Sequence, residues 1–114
     1  MKMPELNRKL TLQDAQKVTD EAGGYTETWI DLGTLWAEVK ARTGRERARA
    51  RKGVGLSRVD YRITVRAAAF GAPSRPVAGQ RFREGTRQFR ILAVTEQDTS
   101  ARFLTCFATE EIVA

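Results

Sequence analysis

RVDYRITVRAAAF, residues 58–70, reads as a β-strand from end to end. Val59, Tyr61, Ile63, Val65, Ala67 and Ala69 alternate with Asp60, Arg62, Thr64, Arg66 and Ala68. Successive side chains of a strand point to opposite faces, so one face meets a core and the other meets solvent or a neighbour. The stretches downstream follow the same rule. RQFRILAVT (residues 87–95) puts Phe89, Ile91 and Ala93 inward. Leu92 and Val94 make its second face apolar too, which predicts a central strand or one covered by another subunit. ARFLTCFA (residues 101–108) returns across a polar turn at residues 96–100. Residues 77–83 form a short strand after a loop at 71–76, and Glu84-Gly85-Thr86 is a tight hairpin connection.

Upstream, Leu35, Ala37 and Val39 share one face of residues 34–40, with Trp36, Glu38 and Lys40 on the other. A helix over residues 34–42 competes, because Ala, Glu and Lys favour helix, but strand is the preferred reading. Gly23-Gly24 marks a turn and Gly33 a bend. Leu6, Arg8, Leu10 and Leu12 alternate with Asn7, Lys9 and Thr11 as a short strand or extended arm, residues 14–22 read as a helical turn or loop, and residues 110–114 as a tail. The chain of 114 residues is then a single all-β domain, a small antiparallel β-barrel or sandwich over residues 1–114. Its predicted core holds Trp29, Trp36, Tyr61, Ile63, Val65, Phe89, Ile91 and Phe103. The tryptophans are placed inside because a small domain needs its large apolar area there.

Between two of these strands lies ARTGRERARARKGVGLS, residues 41–57. With Arg58 it holds seven cations (Arg42, Arg45, Arg47, Arg49, Arg51, Lys52 and Arg58) against Glu46 alone, and so carries the whole net charge of +6; the remaining thirteen cations and thirteen anions cancel. As a helix it would be charged on every side with no face to bury. A loop of more than about 12–15 residues in a compact domain is usually functional or disordered. We therefore read it as one long basic loop that a polyanion orders, since guanidinium forks match phosphate oxygens.

Several function classes are excluded. Cys106 is the single cysteine, inside the apolar run FLTCF, so it reads as a small buried hydrophobe, and neither a disulfide framework nor a cysteine zinc site is possible. Histidine is absent, which removes the commonest general base and transition-metal ligand. Asp60, Glu84, Glu96 and Asp98 form no acid–base or metal-ligand motif. The reading is therefore no enzyme, no cofactor and no metal. No apolar run approaches the roughly 20 residues of a membrane span, and the N-terminal residues show no apolar signal region, so neither membrane insertion nor secretion is expected.

Gly23-Gly24 with Tyr25, Thr28-Trp29, Leu35-Trp36-Ala37-Glu38-Val39 and Gly44-Arg45-Glu46 follow one another in a recognisable order. Tyr61-Arg62-Ile63-Thr64-Val65-Arg66, Phe89-Arg90-Ile91-Leu92-Ala93-Val94 and Leu104-Thr105-Cys106 complete it. In this order and spacing the chain resembles the head–tail joining (head-closure, stopper or head–tail adaptor) proteins of long-tailed bacteriophages and gene transfer agents. The resemblance spans residues 6–111. It implies a small β-barrel assembled as a homo-oligomeric ring, usually dodecameric, in the connector of a virion or virus-like particle built in the bacterial cytoplasm. The ring sits below the portal and adaptor ring, meets the tail terminator or tail tube, and closes the channel over double-stranded DNA. A loop of that family points into the channel. Here it matches residues 41–57, with Arg42, Arg45, Arg47, Arg49, Arg51 and Lys52 as the DNA-facing or channel-facing cations. Pairing of these arginines with a neighbouring subunit is the competing role for the loop. The alternative function is a monomeric small β-barrel that binds nucleic acid. Such a protein needs exposed aromatics for stacking, whereas Tyr61, Phe89, Phe103 and Phe107 are read as alternating inward.

Overall fold

The computed structural model describes residues 3–42, 56–97 and 101–113. Six strands follow in chain order: β1 (Arg8–Thr19), β2 (Tyr25–Ala41), β3 (Leu56–Arg66), β4 (Arg81–Glu84), β5 (Arg87–Glu96) and β6 (Phe103–Val113). Every neighbouring pair is antiparallel. One sheet closes on itself in the order β1-β2-β3-β6-β5-β4. The all-β reading holds, and the turn at Gly85-Thr86 joins β4 to β5 as predicted.

The alternation of β3 is what fills the interior. Ile63 and Val65 enter a cluster with Leu10 and Leu12 of β1, Ala37 of β2, Phe82 of β4, Phe89 and Ile91 of β5, and Leu104, Cys106 and Ala108 of β6. Leu35, Val39 and Tyr61 pack against it, and the Tyr61 ring meets Phe89 edge-on at 5.1 Å. Each fully buried Leu, Ile or Phe contributes about 1.5–3 kcal/mol by leaving water.

A β-bulge corrects the reading of β5. Ile91 pairs with Ala108 and Ala93 with Phe107, so Leu92 is the extra residue. An inserted residue reverses the parity beyond it. Val94 therefore packs against the core where Ala93 was expected, and Ala93 and Leu92 (56% exposed) face outward.

Parity also corrects the aromatic core. Leu35, Ala37 and Val39 occupy the inward positions of β2, so Trp36 must point out and is 57% exposed. Trp29 is half-buried outside the main cluster, with the Arg81 guanidinium stacked 4.0 Å over its ring. Leu104, Cys106 and Ala108 take the inner face of β6, which leaves Phe103 and Phe107 on its outer face. Phe103 is buried there, with the Arg66 guanidinium 6.0 Å from its ring centre.

Residues 14–19, read as a turn or loop, continue β1, and residues 110–113, read as a tail, continue β6. The first miss has a simple cause. Beyond a second bulge at Leu12/Gln13, residues 14–19 pair only with residues 25–30 among the described residues, as a two-stranded ribbon. Among the described residues β1 pairs with β4 only at Thr11, Leu12 and Gln13, and β2 pairs with β3 only from Ala37 to Ala41. The ribbon is mostly exposed, so its sequence has no inside to record, and the β2 edge over residues 25–36 has no strand partner among the described residues. Its turn uses Gly23 at φ +87°, and the Asp20 carboxylate accepts the Ala22 and Gly24 amides at 3.0 and 2.9 Å.

Candidate functional site

The basic segment leaves the sheet at one end, between Ala41 of β2 and Leu56 of β3. Tyr61 pairs with Ala41, and the Arg42 amide donates to the Asp60 carbonyl at 2.8 Å. The Arg42 guanidinium lies 5.6 Å from the Phe107 ring centre. Arg45, Arg47, Arg49, Arg51 and Lys52 lie outside the described residues.

At this same end the inward positions of five strands stop being apolar. Arg8 precedes Leu10, Glu84 follows Phe82, Arg87 precedes Phe89, Glu110 follows Ala108, and Tyr61 precedes Ile63, each two residues from a core side chain on its strand. An inward charge is costly unless it is paired, and these groups meet. Arg8 clasps both Glu84 carboxylate oxygens, Nε at 3.0 Å from Oε2. Arg87 Nε donates to Glu110 Oε2 at 2.8 Å and Nη2 to Oε1 at 3.0 Å, a bidentate fork. Arg87 Nη2 also reaches the Tyr61 hydroxyl at 3.1 Å, which in turn donates to Glu110 Oε1 at 3.1 Å.

The proton affinities follow from these bonds. The Arg87 fork holds the Glu110 carboxyl below the usual carboxylate range, and Arg8 does the same for Glu84. Hydrogen bonding to those carboxylates raises both arginines. Burial, and then the bond to Glu110, raises the Tyr61 phenol. The network ties β1 to β4 and β3 to β5 and β6 across the mouth of the sheet. Sequence reading placed Glu84 in a turn and Glu110 in a tail. Their signal was present as charge at inward parity near one end of each strand.

The outer face over β2, β3 and β6 is cationic and aromatic. The guanidinium groups of Arg62 and Arg66 lie 5.9 Å and 6.0 Å from the ring centres of Phe107 and Phe103. Trp36, Arg66, Leu6, Thr34 and Leu35 line a shallow groove beside them. Burial pushes the Cys106 thiol up to about 12, so it is protonated and enclosed. Among the described residues no group of three or more Cys, Asp or Glu side chains comes together in a way that could hold a metal ion.

Fold and site define a small closed-sheet protein with an ion-paired mouth, whose net charge falls in one segment of the sequence. The chain belongs to the phage head completion protein family, which matches residues 1–111. It is 49% identical to a chain in the virion of a native gene transfer agent particle, with a TM-score of 0.83 and coverage of 98% of this chain and 100% of that one. It is 25% identical to protein SF1141 from Shigella flexneri 2a, solved in solution, with a TM-score of 0.66 and 96% of each chain covered. No curated protein matches.

Proposed function

We propose that this chain is a structural head–tail joining protein of a virion or gene-transfer-agent particle. In this reading it forms a ring below the portal and adaptor that holds packaged DNA and receives the tail. The observation that carries the reading is the family match over residues 1–111, together with a 49% identical chain in a native gene transfer agent virion. The charge distribution supports the finer part. All six net charges lie in residues 41–58, and the Arg8–Glu84 and Arg87–Glu110–Tyr61 mouth closes the end of the sheet where β2 stops at Ala41. Phosphate contacts from such a segment need no base readout, which suits a protein that must hold any DNA.

The test is electron microscopy of particles from cells lacking the gene, then from cells carrying Ser at Arg45, Arg47, Arg49, Arg51 and Lys52. The expected result without the protein is empty or leaking heads beside finished, unattached tails. The Ser variant joins heads to tails but retains less DNA. Complete, DNA-filled tailed particles in the deletion would overturn the assignment. The free nucleic-acid binder gains support from aromatic rings at the surface, since Phe107 faces outward and Tyr25, Trp36 and Phe70 are exposed. The Phe107 ring, however, already lies beside the guanidinium groups of Arg42 and Arg62, 5.6 and 5.9 Å from its centre. Trp fluorescence on adding single-stranded DNA to the purified chain decides it, and no change is expected.

A further inference from the structure

Outside residues 41–58 the cations and anions cancel, yet they are not evenly spread. The β1–β2 ribbon, residues 13–31, carries five carboxylates (Asp14, Asp20, Glu21, Glu27 and Asp31) against the single cation Lys17. None of the five forms an ion pair among the described residues. The ribbon has two faces. Ala15 pairs with Trp29, and that face rests on the body through Arg81. The other face is set by the pairs Asp14–Ile30 and Val18–Thr26, and exposes the apolar Val18 and Ile30 beside Asp14. Glu21 stands exposed at the tip.

The body presents the complement. Arg62 and Arg66 are exposed on the outer face of β3, lie near the Phe107 and Phe103 rings, and form no ion pair among the described residues. Exposed Trp36 and the groove it lines lie beside them. Arginine and tryptophan on a partly apolar patch are the residues most enriched where proteins meet. A two-stranded hairpin is marginal by itself in water, so the ribbon gains order from whatever it rests on.

We propose that the acidic ribbon of one copy seats on the Trp36–Arg62–Arg66 face of a second copy. Asp14 and Glu21 then meet the two guanidinium groups, and Val18 and Ile30 meet the Trp36 groove. The two surfaces are different parts of one chain, so the contact is head-to-tail and repeats, closing a ring where the rotation allows. This assignment rests on the reading of the chain as a repeated subunit of a connector. It adds which surfaces join.

The test is sedimentation of the purified full-length chain at low and high salt. Two charge-reversed variants are compared with it, Asp14→Lys with Glu21→Lys, and Arg62→Glu with Arg66→Glu. Each variant alone should self-associate more weakly by on the order of tenfold or more, because like charges then face each other. An equimolar mixture of the two should recover association, because every ribbon then finds a face of opposite sign. Far-UV circular dichroism checks that each variant is folded. If the Arg62/Arg66 variant does not fold, Arg62→Gln with Arg66→Gln replaces it and should weaken association without the rescue. A ribbon variant that associates like the parent, a mixture of folded reversed variants that fails to recover, or a parent chain that stays monomeric at its highest soluble concentration would each overturn the pairing. Head–tail joining is read separately from particles. Rings that form unchanged from both variants would remove only this contact.

Discussion

Glu110 sits on the inner face of β6, 5% exposed, one inward position beyond Ala108. A carboxylate there is tolerable only because Arg87 and Tyr61 supply three hydrogen bonds to it. Its folded pKa is depressed, chiefly by the Arg87 bonds. The stabilisation is therefore fully present above the unfolded carboxylate value of about 4.3, and is lost as pH falls through the folded value. Glu110→Gln should cost about 2 kcal/mol near neutral pH, as for a lost charged hydrogen bond, lowering Tm by roughly 10 °C. The gap from the parent should narrow on acidification, because the parent then loses the same bonds. Thermal melts across acid pH check this, and a gap that stays constant to low pH would assign the cost to packing. Glu84 carries the same sign through Arg8, so the mouth as a whole loosens in acid.

At the scale of the strand, Gly33 makes a comparable point about backbone. It lies in β2 opposite Leu12, next to the β1 bulge, at φ +139°, where L side chains are strained. A Cβ built there meets nothing within 4 Å, so the cost of Gly33→Ala is conformational and not steric. About 1–2 kcal/mol is expected, as a lower urea midpoint with an unchanged slope. A midpoint equal to the parent's would show that β2 relaxes around the added methyl. The strands that carry the core were legible where burial writes a period of two, in β3 and in the second half of β2. Strand β6 was legible as a strand but not by face, because Phe103 and Phe107 alternate with the equally apolar Leu104, Cys106 and Ala108. The β5 bulge was not, because a one-residue insertion leaves no mark in composition and reverses which of Ala93 and Val94 turns inward. Nor was the ribbon, which is exposed on most sides and so free of any pattern. The two tryptophans were misplaced by weighing size above parity. The ion-paired mouth was readable in principle, since Arg8, Arg87, Glu84 and Glu110 all break the apolar alternation at the same end. Seeing it required knowing which strands lie side by side.

Charge separation organises the molecule: a cationic segment between β2 and β3 in the sequence, an acidic ribbon and a cationic outer face. Replacing Arg45, Arg47, Arg49, Arg51 and Lys52 by Ser lowers the net charge from +6 to +1. The slope of log K against log salt for double-stranded DNA should become shallower by about 4–5, one released counterion per lost phosphate contact. An unchanged slope would move the DNA contact to another surface. The ribbon also has an open side among the described residues. Its β2 edge over residues 25–36 offers a row of main-chain donors and acceptors with no neighbouring strand among the described residues. Edges of that length template fibril growth when two identical ones meet. Here any two ribbons approaching side by side bring five carboxylates against five, with a single lysine each to offset them. The carboxylates thus act as gatekeepers of that edge, and freshly translated chains should not stack edge to edge into fibrils before a particle takes them up.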